Sequence, residues 1–220
     1  MSSQTHTPRT VRVWDPVVRL GHWIIVAAFF TAYLSGDEWA GIHIWAGYTV
    51  AAAVLVRLIW GLVGTRHARF SSFVRGPRAV MAYLKGLFSK KAERHLGHNP
   101  AGALMIVALL VSLAGTTVSG MALLAAEDGR GPLAGVIASG DGVPVERSTD
   151  VDVRRDGQEE GTEGHEEGGT GEIIEEVHSI FTYLTLALVA LHVLGVAASS
   201  LAHRENLVRA MVTGRKRPLE

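Results

Sequence analysis

The sequence predicts an all-α protein, an integral membrane four-helix bundle with both termini cytoplasmic and a long acidic outer loop between the third and fourth helices. Three observations predict it. Apolar stretches long enough to cross a hydrocarbon core of about 30 Å recur along a chain that is 48% apolar, with a mean hydropathy of +0.23. Lysine and arginine cluster on alternate sides of those stretches, and acidic residues gather in one of the connections between them. Four of the ten histidines fall inside or at the edge of the apolar stretches, where ionisable side chains are costly and mark sites.

The chain has 220 residues, room for one domain, and we expect a single membrane unit over 1–220 with spans at about 17–36, 41–63, 103–124 and 177–203. There is no cysteine. Disulfides, zinc–thiolate sites, iron–sulfur clusters and thioether attachment of haem are therefore excluded, and any metal must be held by histidine or oxygen ligands. The formal net charge of zero decides nothing about partners, because it hides two separated populations. Membrane lipid is the expected surroundings, and no nucleic-acid partner is expected.

After a polar start, Leu20 to Gly36 carries no charge. A basic residue before an apolar run also fits a secretory signal, but this run exceeds the usual apolar core of about 7–15 residues and a second span follows at once. Asp37 and Glu38 make an acidic turn, and the second span continues from Gly41 to Val63 with one charge, Arg57. Gly64 to Arg94 is basic and partly apolar. Val80, Met81, Leu84, Leu87 and Phe88 fall near one face beside Arg78 and Lys85, as in a short helix on an anionic membrane surface; a solvated basic loop fits as well. Asn99 and Pro100 can cap and start the third span, whose Gly102, Ser112, Gly115, Ser119 and Gly120 allow close approach of a helix or a flat ligand.

Glu127 to Glu176 holds 15 acidic residues against 4 arginines, with glycines throughout. Such a composition buries too little apolar surface to offset chain entropy, so a disordered outer loop is expected over 127–176. The last span, Val177 to His203, again has no Asp, Glu, Lys or Arg. Of the 21 Lys and Arg, three precede the first span, eight lie between the second and third, and five follow the fourth. That bias puts both termini and the middle loop on the cytoplasmic side.

His178 and His192 lie fourteen positions apart, about 21 Å of helical rise and within about 40° of four full turns. Both imidazoles therefore share one stripe at two depths. His43, near the outer start of span two, matches the depth of His178, and His22, near the inner start of span one, is the partner left for His192. The inner match is imperfect, so span four must tilt or extend past the lipid. Two depth-matched histidine pairs are what low-spin b-type haem requires, one imidazole from each flanking helix and nothing covalent. Interhelical hydrogen bonds are the plain alternative for each histidine, and a proton pathway or a haem-free metal transporter is another. Divalent-cation transport sites recruit mid-membrane carboxylates, which no span contains, and that favours haem. Arg57 lies on the stripe of His43 but near the inner depth, where haem propionates need a cation; it also has the length to snorkel to the interface. Gly47 and Gly195, near the ligand faces, leave room for a porphyrin or for helix packing.

The segments V-W-D-P-V-V-R-L-G-H-W from Val13, I-H-I-W-A-G-Y from Ile42, R-L-I-W-G-L-V-G-T-R-H-A-R-F-S-S-F-V from Arg57 and G-H-N-P-A-G from Gly97, with the His178 and His192 pair, resemble the bacterial cytochrome b561 and nickel–iron-hydrogenase b-type cytochrome family. The resemblance touches all four spans. It implies a membrane cytochrome of the bacterial inner membrane with two non-covalent b haems, ligated by His22, His43, His178 and His192, moving electrons between a quinone pool and a redox partner. A quinone is thus a second expected cofactor, with Arg19, Arg57 and His203 inside, or groups near His43 outside, as candidates to bind it. The acidic loop departs from compact members of the family and suits a basic periplasmic cytochrome c or serves as a plain tether. A self-contained quinone-linked oxidoreductase and a haem-free transporter or anchor subunit are the alternative readings.

Overall fold

The computed structural model describes residues 11–12, 15–36, 38–65, 68–74, 76–88, 100–140, 168–202 and 204–216. Four helices are long and apolar enough to cross a membrane: α1 (Pro16–Ser35), α2 (Ala40–Val63), α5 (Pro100–Asp128) and α7 (Gly168–Ala202). Between and after them come α3 (Phe70–Phe73), α4 (Pro77–Phe88), α6 (Ala134–Gly140) and α8 (Leu207–Thr213). Two residues near each end, β1 (Val11–Arg12) and β2 (Arg215–Lys216), pair antiparallel, so the described ends of the chain meet at one end of the bundle. The architecture is an all-α membrane bundle.

Each helix begins and stops where local chemistry dictates. The Asp15 carboxylate caps α1 by accepting from the Val17 and Val18 N–H groups at 2.8 and 3.4 Å, with Pro16 at the first helical position. The same carboxylate accepts from Trp60 Nε1 at 3.2 Å and Thr65 Oγ1 at 2.8 Å, so the start of α1 is fastened to the end of α2. The α2 helix ends where Gly64 N–H bonds the Trp60 carbonyl and the chain turns extended. A side chain at Gly61 would occupy the Phe70 ring, so only glycine lets α3 fold against α2.

The helices associate as two hairpins, α1 with α2 and α5 with α7, joined by packing of α2 on α5. Their common core contains Ala28 and Phe29, Val50 and Val54, and Leu110 and Leu113, with Leu186 and Val189 of α7 against it. Most other apolar side chains face outward, as a lipid solvent requires. Buried hydroxyls join α5 and α7: Ser112 Oγ and Thr185 Oγ1 are 2.7 Å apart, and Thr116 Oγ1 lies 3.2 Å from Thr185 Oγ1.

Two expectations change. The segment 127–176 is not irregular at its ends, since α6 packs on α5 and α7 begins at Gly168 rather than at Val177. A helix already nucleated by an apolar span adds flanking turns cheaply, even through glycine and glutamate. Residues 141–167 lie outside the described residues. The basic surface helix expected over Val80 to Phe88 is present as α4, but it packs on α5 and buries Val80 while Met81 is exposed; the side chains of Leu84, Leu87 and Phe88 lie outside the described ones, as does Asn99.

Candidate functional site

The four intramembrane histidines meet in two pairs. His43 of α2 faces His178 of α7 with ring centroids 6.2 Å apart, and His22 of α1 faces His192 of α7 at 6.5 Å. The imperfect depth match of the inner pair is reconciled by length. About 15 Å of α7 continues past His192 to Ala202, against about 9 Å of α1 between Pro16 and His22, so α7 extends beyond its partner. The remaining histidines, His6, His67, His95, His98, His165 and His203, lie outside the described residues.

The outer pair has its ring orientations set by backbone carbonyls. His43 Nδ1 lies 2.9 Å from the Ala32 carbonyl oxygen, and His178 Nδ1 lies 3.0 Å from that of Thr116 and 3.1 Å from Ser119 Oγ. A carbonyl only accepts, so both Nδ1 atoms carry the proton. Each neutral ring then keeps its lone pair on Nε2, the arrangement typical of metal-ligating histidine. Gly120 allows it: a Cβ there would stand 2.9 Å from His178 Cε1. Gly120 is one of the small residues expected to allow close approach, whereas the acceptor carbonyls carry no sequence signal for this role. In the inner pair, His22 Nδ1 is buried with no hydrogen-bond partner among the described residues, an unfulfilled ring nitrogen inside the bundle.

The expected neighbours of the histidines divide. Gly47 lines an open cavity beside His43 and His178, walled also by Phe29, Tyr33, Tyr48, Met121 and Leu124. A Cβ at Gly47 or at Gly195 would meet nothing within 4 Å, so both positions are open space. Arg57 lies with its guanidinium carbon 4.7 Å from the Phe70 ring centre, a cation–π contact, and its Nη1 is buried without a hydrogen-bond partner among the described residues. Arg19 points elsewhere, donating from Nε to the Met211 carbonyl at 3.0 Å and from a terminal nitrogen to that of Val212.

A haem fits these pairs. The imidazoles come in two facing pairs, and a tetrapyrrole-held iron would take two such donors. Imidazole nitrogen lies about 2.0–2.1 Å from a bound first-row ion and about 1.1 Å from its own ring centre, so two imidazoles on opposite sides of one ion have centroids about 6.3 Å apart. The observed 6.2 and 6.5 Å bracket that value.

A profile of one protein family, prokaryotic cytochrome b561, matches residues 13–214. The chain belongs to that family. It is accordingly a multi-pass membrane protein of the b-type cytochromes. Two curated relatives from Azotobacter bear on the match. A probable Ni/Fe-hydrogenase B-type cytochrome subunit of Azotobacter vinelandii is 30% identical over 54% of this chain and 62% of its own length. A protein of the same description from Azotobacter chroococcum mcd 1 is 25% identical over 93% of this chain and 87% of its own. The chain thus spans less than two thirds of the first relative. No solved structure matches this cytochrome.

Proposed function

We propose that this cytochrome carries electrons across the bacterial inner membrane through two b haems, one held by His22 and His192 and one by His43 and His178, between a quinone or quinol and a redox partner. The observation that carries the reading is the pairing itself: two sets of facing imidazoles, ring centroids 6.5 and 6.2 Å apart, that would each hold one haem, the outer set with its Nδ1 protons committed to carbonyls. When bound, haem iron supplies one-electron chemistry. The chain's residues supply position and environment. Hydrogen bonds from His43 and His178 to Ala32 and Thr116 hold the rings and raise their basicity. Arg57, whose buried Nη1 has no hydrogen-bond partner among the described residues, is the cation for an inner propionate, and Gly47 leaves the space a ring edge needs.

The whole chain acts as one membrane domain with both termini cytoplasmic, which the pairing of β1 with β2 and the distribution of Lys and Arg support. The relatives' description as hydrogenase cytochrome subunits supports a membrane subunit of a larger oxidoreductase, with a periplasmic cytochrome c as the alternative outer partner for the acidic loop. A reduced-minus-oxidised spectrum with haem extraction tests the haem count. About two b haems per chain are expected. His178→Ala and His192→Ala should each remove a different one; absence of b-type bands from protein made in haem-sufficient cells, or loss of the same haem in both variants, overturns the assignment.

A further inference from the structure

The inner histidine pair poses a problem of spacing. His22 and His192 face each other across α1 and α7, yet the backbone of α1 packs chiefly on α2 and that of α7 on α5. Side chains of the common core, Ile25 and Val189 among them, lie between α1 and α7, but close backbone packing does not set the gap between the two histidines.

The C-terminal segment is built to do so. Beyond Ala202 the chain reverses at Arg204, whose φ of 47° lies in the left-handed region, while Glu205 N–H bonds back to the Ser200 carbonyl at 3.0 Å. Asn206 then caps α8, accepting from Arg209 N–H at 2.7 Å. Gly214, at φ 78°, ends it and donates to the Ala210 carbonyl at 2.8 Å. The last carbonyls of a helix have no donor of their own. Here the Met211 and Val212 carbonyls accept from Nε and a terminal nitrogen of Arg19, which lies one turn before His22 on α1. After Gly214 the chain becomes β2 and pairs with β1, Val11 opposite Lys216 and Arg12 opposite Arg215. The C-terminal segment that follows α7 is therefore tied twice to the start of α1, once through a side chain and once through backbone.

We infer that Arg19 and the terminal strand pair form a strap that sets the spacing of α1 and α7 at the His22–His192 pair, with Arg19 a positioning residue and not a cofactor ligand. The inference rests on reading that pair as a haem ligand set. The planar guanidinium suits the task, because its fork reaches two adjacent carbonyls in one geometry, which a lysine ammonium does not. The outer pair lies about 21 Å further along α7 and is held by its own carbonyl contacts, so the strap acts on the inner pair alone.

Two measurements test this on the full chain in lipid. The protein has no cysteine, so Val11→Cys with Lys216→Cys gives a clean pair at directly opposed positions. Antiparallel partners sit about 4.5–5.5 Å apart, within disulfide range. Oxidation should give an intramolecular cross-link whose yield falls severalfold when Arg19→Ala is added; no cross-link in the parent pair, or an unchanged yield with Arg19→Ala, overturns the strap. Separately, Arg19→Ala in the native chain should shift or abolish the ferric electron-paramagnetic-resonance signal and potential of only the haem that His22→Ala removes, with Arg19→Lys intermediate. Both haems unchanged, or both changed alike, overturns the positioning role. A native chain without haem overturns the ligand reading of the pair, and the cross-linking yield then decides the strap by itself.

Discussion

Replacing Gly120 with alanine should loosen only the outer of the two proposed haems, and the size of the effect follows from the contacts of one ring. An added Cβ stands 2.9 Å from His178 Cε1 and 3.2 Å from its Nδ1, whereas ordinary contact begins at 3.4 Å. The imidazole must therefore retreat by at least 0.5 Å, the difference between 3.4 and 2.9 Å. Its Nδ1 now lies 3.0 Å from the Thr116 carbonyl and 3.1 Å from Ser119 Oγ, and a shift of that size away from them leaves bonds of about 3.5 Å, near the limit of usefulness. Disturbing the outer partners of a metal-ligating histidine typically costs about 10–100-fold in affinity, or roughly 1.4–2.7 kcal/mol. The assay is haem titration of the apoprotein in lipid with potentiometry of each haem, the inner one serving as internal standard. Gly41→Ala is the control, because its Cβ meets nothing within 4 Å. A Gly120→Ala protein that binds the outer haem with unchanged affinity and potential refutes the account of how His178 is held.

Two further substitutions probe the scaffold. Thr185→Val removes the hydroxyl shared by Ser112 and Thr116 at a fully buried position between α5 and α7, and should lower stability by about 0.6 kcal/mol, at most about 1.7, in reversible unfolding from lipid or detergent. Asp15→Ala removes the α1 cap together with the acceptor for Trp60 and Thr65, and should cost about 1–2 kcal/mol for the cap alone. Asp15→Asn, which keeps an acceptor oxygen, should lose less, and equal losses in the two variants would deny the carboxylate its capping role.

What could be read from the chain was what depends on composition and spacing. Charge-free runs must become helices in a medium without water, because every backbone N–H and C=O has to be satisfied internally, so four spans followed from hydropathy. The shared stripe of His178 and His192 followed from helical periodicity and the partner His43 from depth, since charge bias orients each span, while His22 was the partner left for His192 despite an imperfect depth match. The additional turns of α7 and the short α6 were hidden because glycine and glutamate read as disorder unless a neighbouring span supplies the nucleus.

The remaining features belong to the tertiary structure. The Thr116 and Ala32 carbonyls that hold His178 and His43 exist in every residue, so nothing in the letters distinguishes them as acceptors. Asp15 reads as an ordinary cap until folding brings Trp60 and Thr65 to the same carboxylate. Arg19 reads as a cation one turn from a histidine and a candidate for the quinone, and only the left-handed reversal at Arg204 delivers the Met211 and Val212 carbonyls that take it up. Periodicity and charge determine which residues share a face and a depth, because those are properties of one helix in one solvent. Which group answers a given donor is decided between elements distant in sequence, where only the folded chain brings them within reach.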